Sequence, residues 1–111
     1  MTDFHGLEIE FTDVSPFLTA LGDTKRQAII VALINDIGHV GMQVTDLTEL
    51  LGLSRPAVSH HLKILRDAHL IEYRTEGTKN YYRLSHDLTE IRKLQELLAH
   101  VTTIIEGSNR S

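Results

Sequence analysis

The positively charged side chains of this chain are concentrated in one segment, residues 54–83. This segment holds six of the eleven Lys and Arg residues against three acidic ones, a net charge of +3 in a chain whose net charge is −4. The basic residues are Arg55, Lys63, Arg66, Arg74, Lys79 and Arg83. Guanidinium and ammonium groups are the side chains that bind phosphate. The segment therefore has the charge of a surface that meets a nucleic-acid backbone.

The rest of the chain is acidic. Residues 1–53 carry two basic and eight acidic side chains, and residues 84–111 have a net charge of −1. Taken over all 111 residues, the charge of −4 argues against nucleic-acid binding. Taken by segment, it describes an acidic scaffold that carries one basic face, which is the polarity a nucleic-acid reader needs.

The residue types exclude several classes of chemistry. There is no cysteine, so disulfides, thiolate metal ligands and redox-active thiols are excluded. The sequence has no Gly-rich phosphate loop and no His-Glu-x-x-His motif, and we expect no enzyme. The longest apolar run, residues 28–34, is far shorter than the roughly 18 residues that cross a bilayer. Because the N-terminus is also acidic, unlike a secretory signal, we expect a cytoplasmic protein without a membrane partner.

The basic segment coincides with the second helix of a predicted pair. Thr45 can cap a short helix, and Gly52 supplies the left-handed residue that ends it. Ser54 can cap a second helix that runs to about residue 68. The apolar residues of this second helix, Val58, Leu62 and Leu65, share one face. Two short helices joined by a tight turn that contains glycine form a helix-turn-helix.

Two runs of alternating residues follow, 71–75 and 80–84, with Gly77 in the short loop between them. Alternation of period two around such a loop predicts a β-hairpin. The residues expected to face inward are Ile71, Tyr73, Tyr82 and Leu84, and those expected to reach solvent or a partner are Arg74, Lys79 and Arg83. A hairpin directly after a helix-turn-helix is a wing.

The remaining elements complete a mainly α fold with a small β-hairpin. A first helix is expected behind Ser15-Pro16, and a second after Thr24, apolar on nearly every side and central in the core. A short strand is expected at 42–44, and a last helix over about 86–106. The order is α-α-(short β)-α-α-β-β-α. We expect one winged helix-turn-helix domain over 14–106, with a flexible N-terminal arm at 1–13 and a flexible tail at 107–111.

The last helix carries an apolar seam. Its residues Ile91, Leu94, Leu98, Val101 and Ile105 recur at spacings of three and four, the pattern of a helix that packs lengthwise on another helix. Leu88, Leu97 and Ile104 widen the stripe. Because an unpaired stripe of this width would expose a large apolar patch, we expect a homodimer, with Phe17 and Leu21 of the first helix at the same interface. The alternative is that both faces serve one intramolecular core.

Residues 53–71, LSRPAVSHHLKILRDAHLI, resemble the recognition-helix signature of the ArsR/SmtB repressors, a family of small dimeric winged-helix proteins. The resemblance covers roughly residues 14–106, since the turn at 21–26, the wing and the long last helix also match. It implies a dimeric transcriptional repressor that binds an inverted-repeat operator in double-stranded DNA. The alternative is a winged-helix module whose basic face binds an acidic protein partner.

The resemblance also implies which residues meet DNA, because in this family the recognition helix enters the major groove and the wing follows the neighbouring backbone. It places Ser54, Arg55, Pro56, Ser59, His60 and His61 at base edges or phosphates. Among them, Arg55 can donate two hydrogen bonds to guanine. The implied phosphate contacts, which position the protein without specifying a sequence, are Lys63, Arg74, Lys79 and Arg83.

The resemblance implies an inducer as well, and its match to the family's metal sites is partial. Asp87 and His100 fall on the register of a site between the two last helices, but Thr89 and Thr103 occupy the other two ligand positions. The further candidate ligands are His86 and His5. Such a set of His and carboxylate ligands suits nickel, cobalt or zinc. The alternatives are a non-metal inducer, a partner protein or no inducer.

Overall fold

The computed structural model describes residues 4–109, which form five helices and one antiparallel β-hairpin. In chain order these are α1 (Phe4–Leu21), α2 (Thr24–Asn35), α3 (Val44–Leu51), α4 (Arg55–Asp67), β1 (Ile71–Glu76), β2 (Lys79–Leu84) and α5 (Thr89–Asn109). The order agrees with the sequence analysis and confirms a mainly helical winged helix-turn-helix.

Helix α2 lies at the centre of the core. Its residues Ile29 and Leu33 are buried, and the helix contacts α1, α3, α4 and β2. The other buried side chains of this core are Ala20, Ala32, Leu47, Val58, Leu62, Leu65, Ala68, Ile71 and Tyr82. The composition of α2 had suggested burial on nearly every side. The structure differs, because Val31 and Ile34 on the other side of the helix are exposed.

Helix α1 begins much earlier than the sequence analysis predicts. Residues 4–13 are helical, so the predicted start at Ser15-Pro16 is wrong, and Pro16 lies inside the helix. A proline inside a helix costs about 3 kcal/mol. Packing of α1 along α5 offsets this cost, with Val14 and Phe17 buried on either side of the proline. Flexibility of residues 1–13 stays a prediction, and residues 1–3 lie outside the described range.

The turn between α3 and α4 follows the predicted caps. Gly52 adopts a left-handed conformation with φ of 68°, and its N–H donates to the carbonyl oxygen of Thr48 at 2.9 Å. Ser54 Oγ accepts a hydrogen bond from Ala57 N at 3.2 Å, which starts α4. Glycine adopts this φ without the steric cost that a Cβ brings. These two residues set the angle between the paired helices.

Two other predicted caps are wrong by one or two positions. Asp23, rather than Thr24, caps α2, because its carboxylate accepts hydrogen bonds from two backbone N–H groups. Gln43, rather than Thr45, caps α3, and its N–H donates to Asp46 Oδ2 at 2.9 Å. In both cases a carboxylate near the helix N-terminus is favoured by the helix dipole.

The hairpin has a tighter turn than predicted. The strands extend to Glu76 and Lys79, which pair with each other, so the turn is the two residues Gly77 and Thr78. Gly77 has φ of 63°, the sign that the first position of such a turn requires.

The short strand expected at 42–44 is a single β-bridge, in which Met42 exchanges two backbone hydrogen bonds with Tyr82. Gly41 permits this close approach, since a Cβ there would lie 3.1 Å from Tyr81 Cβ.

Helix α5 begins at Thr89, three residues later than predicted, and runs to Asn109. The Leu88 carbonyl oxygen accepts the hydrogen bond from Arg92 N at 2.9 Å. His86 and Asp87 therefore precede the helix. Residues 107–109, predicted as part of a flexible tail, continue α5, and residues 110–111 lie outside the described range.

The two longest helices, α1 and α5, pack against each other in a molecule that measures 59 × 24 × 23 Å. The radius of gyration is 17.4 Å, against about 13 Å for a compact domain of this length. Within residues 4–109, no helix combines the length and the apolarity that crossing a bilayer requires.

Candidate nucleic-acid interface

Helix α4 has one buried face and one exposed face. Val58, Leu62 and Leu65 are at most 1% exposed and belong to the core. On α4 and its N-cap, six of the residues predicted to meet DNA are exposed: Ser54, Arg55, Pro56, Ser59, His60 and Lys63. Because residues four apart share a helix face, Arg55, Ser59 and Lys63 form one row along α4. The row presents hydrogen-bond donors along its whole length.

Ser54 and Arg55 occupy the N-terminal end of this row. The Ser54 hydroxyl accepts the capping hydrogen bond, and its own proton can still be donated. Arg55 is exposed, and no carboxylate among the described residues forms an ion pair with it. The helix N-terminus adds a partial positive charge that favours phosphate. Arg55 can therefore reach a partner without first breaking an ion pair.

Three of the four predicted phosphate contacts form exposed ion pairs. These are Lys63 Nζ with Asp67 Oδ2, Arg74 Nε with Glu76 Oε1 and Arg83 Nε with Glu72 Oε1, each at 3.0 Å. Pairs in solvent contribute about 0–1 kcal/mol, so a phosphate oxygen can replace the carboxylate. Lys79, next to the hairpin turn, is exposed and has no carboxylate partner within residues 4–109.

An aromatic contact that the sequence analysis missed joins α4 to the wing. The Arg66 guanidinium lies 5.2 Å from the centre of the Tyr73 ring, and that ring lies 5.3 Å from the ring of Tyr82. Tyr73 was expected to face inward but is 42% exposed. It packs against Arg66 and Tyr82 at the margin of the core. Sequence spacing gives no sign of the contact, since it pairs a helix with a strand. It helps to fix the wing relative to α4.

His61 is the one residue predicted to meet DNA on α4 that is not fully exposed. It is half-buried, and its Nδ1 lies 3.3 Å from Nη1 of Arg26 in α2. Because a guanidinium only donates hydrogen bonds, Nδ1 accepts, and the imidazole is neutral with its proton on Nε2. Arg26 also donates to the carbonyl oxygens of Thr19 and Ala20 at the end of α1. His61 therefore has a contact that positions α4, and its contact with DNA stays a prediction.

Burial lowers the pKa of His61 below its ordinary value of 6.5. The charge of Asp23 opposes this shift, while the charge of Arg26 acts in the same direction as burial. The pKa of the Asp23 carboxyl is itself lowered, mainly by the hydrogen bond from Arg26 N. Arg26 lies in the 21–26 turn that the sequence analysis noted, but no role was predicted for it.

The two candidate metal ligands on the family's register lie far apart in one chain. His100 Nδ1 is 2.7 Å from Glu10 Oε1 of α1. Asp87, thirteen residues earlier, accepts hydrogen bonds from Thr89 Oγ1 and Thr89 N, which lower the pKa of its carboxyl. The helical stretch from Thr89 to His100 alone spans roughly 16 Å at 1.5 Å per residue. The two candidates could meet one ion only if a second copy supplied one of them.

The two further candidate ligands are also separate. His86 Nδ1 lies 3.8 Å from Glu72 Oε1 beside the wing, and His5 is exposed in the first turn of α1. Within residues 4–109, no three His, Asp or Glu side chains gather in an arrangement that could hold a metal ion.

The predicted seam on α5 divides between two faces. Of its five residues, Leu94 and Val101 are half-buried, beside Leu97 of the wider stripe, which is 1% exposed. The other three members, Ile91, Leu98 and Ile105, are 40%, 55% and 54% exposed. Residues seven apart return to nearly the same side of a helix, so these three form one row, the α5 apolar row.

The two residues of α1 predicted at the dimer interface differ in how much of their surface is exposed. Phe17 is 3% exposed, so it has almost no surface left for a partner, and we remove it from the expected interface. Leu21 is half-buried. Four other large apolar residues of α1 are exposed instead: Phe4, Ile9, Phe11 and Leu18.

Known protein families and structures resemble this chain in both sequence and fold. Residues 23–73 match the family model described as bacterial regulatory protein, arsR family. The arsenical resistance operon repressor of Staphylococcus aureus is 31% identical over 83 residues, which span 74% of this chain and 75% of that protein. The chain belongs to the ArsR family.

Two further comparisons extend the ArsR-family assignment. The HTH-type transcriptional regulator Rv2034 of Mycobacterium tuberculosis is 43% identical over 65 residues, which span 59% of this chain and 57% of that protein. The structure of an ArsR-like transcriptional regulator from Rhodococcus sp. RHA1 has a TM-score of 0.75. That match covers 90% of this chain and 86% of the other, and at 23% identity it supports the shared fold.

As an ArsR-family protein, the chain is a DNA-binding transcriptional regulator. The matched residues contain all of α4, and so the exposed row from Arg55 to Lys63. They end within β1. The roles of the hairpin turn and of α5 therefore rest on the geometry described above.

Proposed function

We propose that this ArsR-family protein is a homodimeric repressor that binds an inverted-repeat operator, with α4 in the major groove and the hairpin on the adjacent backbone. The α5 apolar row carries the dimer part of the proposal. Its three side chains are 40–55% exposed on the helix face away from the buried Leu97. In a monomer the row stays in water, and a second copy removes it from water at a favourable free energy.

Helix α1 and the shape of the chain support the same arrangement. The radius of gyration of 17.4 Å exceeds the value of about 13 Å for a compact domain of this length. Phe4 is 71% and Phe11 50% exposed on α1, which packs beside α5. Two long helices with uncovered apolar side chains are typical of a subunit that completes its core in a dimer.

The DNA part of the proposal rests on the exposed row of α4. A two-fold symmetric dimer presents two copies of this row, one to each half of an operator. Half-sites are then about 10 base pairs apart, one turn of DNA. Arg55 reads a base edge, Ser59 and His60 offer further hydrogen bonds, and Lys63 and Lys79 contact phosphates. The acidic segments keep the rest of the surface away from DNA.

Binding to the DNA upstream of the protein's own gene tests this function. Fluorescence anisotropy compares that DNA with a scrambled duplex of the same composition over a range of salt concentrations. We expect tighter binding to the upstream DNA and an affinity that falls steeply with salt. Equal affinity for both duplexes contradicts sequence-specific binding, and binding to neither favours the alternative of a protein-interaction module.

We also propose that a divalent metal ion releases the repressor from its operator. A metal site that includes His100 would also include Glu10 as a ligand, because the Glu10 carboxylate lies beside the His100 ring. It would need further ligands from the second copy. The test measures operator affinity with nickel, cobalt or zinc, and again after chelation. No change in affinity, with no binding in calorimetry, contradicts a metal inducer and leaves a non-metal signal.

A further inference from the structure

A small cavity lies between the long helices and the base of the wing. Its volume is about 330 Å³. Its wall is mostly apolar and is built from four elements, with Phe17 of α1, Ile30 of α2, Leu84 of β2 and Ile91 of α5 among the lining residues. None of the residues that line it belongs to the DNA-reading row of α4. The DNA-binding function therefore leaves this cavity unexplained.

The polar residues of the cavity come from the two segments that flank the hairpin and from the first turn of α5. His69 precedes β1, Ser85 and Asp87 follow β2, and Glu90 lies on α5. Glu90 shares its charge with Lys93, whose Nζ lies 3.3 Å from Oε1. Asp87 uses Oδ1 to accept hydrogen bonds from Thr89, and its second oxygen is a further acceptor. An apolar wall with a few acceptors is the makeup of a small-molecule site.

His69 is the non-glycine residue with a positive φ, 62°, within residues 4–109. A side chain in this left-handed region costs free energy that glycine avoids. The histidine lines the cavity together with Asp87. The conformation is that of a residue that ends a helix, since His69 N and Leu70 N donate to the carbonyl oxygens of Arg66 and Leu65 at 2.9 and 3.0 Å at the end of α4.

The size of the cavity decides what can fill it. The volume matches the lower end of the range of about 300–1,000 Å³ for ligand pockets.

We propose that this cavity binds a small, mostly apolar organic molecule that donates a hydrogen bond from nitrogen to the carboxylates of Asp87 and Glu90. Aromatic amines are the simplest molecules of this class. The bound molecule contacts α1 and α5, which we assign to the dimer, and also the base of the wing through Leu84. This is the position that a non-metal inducer needs. Leu21 and Ile91 line the cavity and are also expected at the dimer interface, so the bound molecule contacts the same surface as a second copy, whereas binding does not need DNA.

The probe is N-phenyl-1-naphthylamine, whose fluorescence rises in apolar surroundings, titrated into the full chain without DNA. We expect saturation at one probe per chain, and nuclear Overhauser contacts from its rings to the methyl groups of Ile30 and Leu84. The control probe, 1-anilinonaphthalene-8-sulfonate, adds an anionic group to the same rings and should bind about tenfold more weakly, because the carboxylates repel it. Equal binding of both probes, or contacts only to Leu98 and Ile105, overturns the proposal.

Two matched tryptophan substitutions on α2 test independently whether the probe binds in this cavity. Ile34 lines the cavity and is 49% exposed, so Ile34→Trp narrows the cavity without disturbing the core. Val31 lies on the same helix, is 56% exposed and does not line the cavity. We expect Ile34→Trp to weaken probe binding about fivefold or more and Val31→Trp to leave it unchanged. Equal effects of the two substitutions overturn the assignment.

His69→Gly separates a binding role from a structural one and replaces the Ile34 test if that variant does not fold. Glycine relieves the left-handed conformation, so the melting temperature should rise while probe affinity falls. Unchanged affinity removes His69 from the site. Loss of the probe signal as the protein concentration is raised would show that a side chain of a second copy fills the cavity, which also overturns the proposal.

Discussion

Arg26 links the end of α1 to the recognition helix through His61, whose Nδ1 lies 3.3 Å from the Arg26 guanidinium. The same guanidinium donates to the carbonyl oxygens of Ala20 and Thr19, 2.9 and 3.1 Å away. One side chain therefore satisfies the C-terminal carbonyls of α1 and contacts α4 at once. The contact therefore joins α1, one of the two helices proposed for the dimer, to the recognition helix α4.

The Arg26 contacts predict a loss of stability on truncation. Arg26→Ala leaves the carbonyl oxygens at the end of α1 without their donors and should lower the free energy of unfolding by about 1–3 kcal/mol. The matched control is Lys25→Ala, at an exposed neighbouring position, which should change it by less than about 0.5 kcal/mol. Urea unfolding measures both, and equal effects would contradict the capping role of Arg26.

The His61 contact predicts a pH dependence. The pKa of His61 is lower in the folded chain than its ordinary value of 6.5, mainly because of burial. The unfolded chain therefore binds the proton more readily, so the stabilisation is present above about pH 6.5 and is lost as pH falls through the folded pKa. His61→Gln keeps an acceptor for Arg26 but cannot titrate, so stability should fall less steeply below pH 6.5 than in the wild type. Parallel urea-midpoint profiles for the two proteins would show that His61 does not titrate in this way.

Arg55 and Lys79 should have different effects on DNA binding. Arg55→Ala should cost about 1–3 kcal/mol on the operator and little on a scrambled duplex, because a base contact is lost. Lys79→Ala should weaken binding to both duplexes alike and reduce the salt dependence by about one counterion, because a phosphate contact is lost. Anisotropy titrations on both duplexes separate the two roles. Equal losses from Arg55→Ala on the two DNAs would rule out base reading by Arg55.

The α5 apolar row predicts the effect of a charge on assembly. Leu98→Asp introduces a carboxylate into the proposed interface and should weaken dimerisation by at least about tenfold. Val40→Asp places the same charge at an exposed apolar residue of the loop between α2 and α3, outside α1 and α5, and should leave the dimer intact. Sedimentation equilibrium measures both. A Leu98→Asp protein that dimerises as tightly as the wild type would remove the row from the interface.

Local chemistry made α3, α4 and the hairpin predictable from the sequence. Gly52, Ser54 and Gly77 fix the backbone through interactions within a few residues, and the structure has each in its expected place. Helix α1 was mispredicted because Pro16 reads locally as a helix start, whereas contacts with α5 keep the helix continuous through it. The continuous spacing of Phe4, Leu7, Phe11, Val14, Leu18 and Leu21 is the signal that indicates one helix.

The candidate site was predictable only in part, for a similar reason. The exposed row of α4 follows from helical periodicity, since Ser59 and Lys63 each come directly after a buried residue, Val58 or Leu62, and so point about 100° away from it. The roles of Arg26 and Arg66 depend on contacts with distant elements, and no local pattern carries that information. The split of the α5 seam likewise depends on which side of the helix α1 covers.

Hydroxyl-radical footprinting of the operator, with the number of bound chains measured on the same DNA, tests most directly that two copies read an inverted repeat. The predicted result is two protected half-sites about 10 base pairs apart, related by a two-fold axis, with two chains bound. Protection of a single half-site by one chain, at saturating protein, would contradict the dimeric repressor.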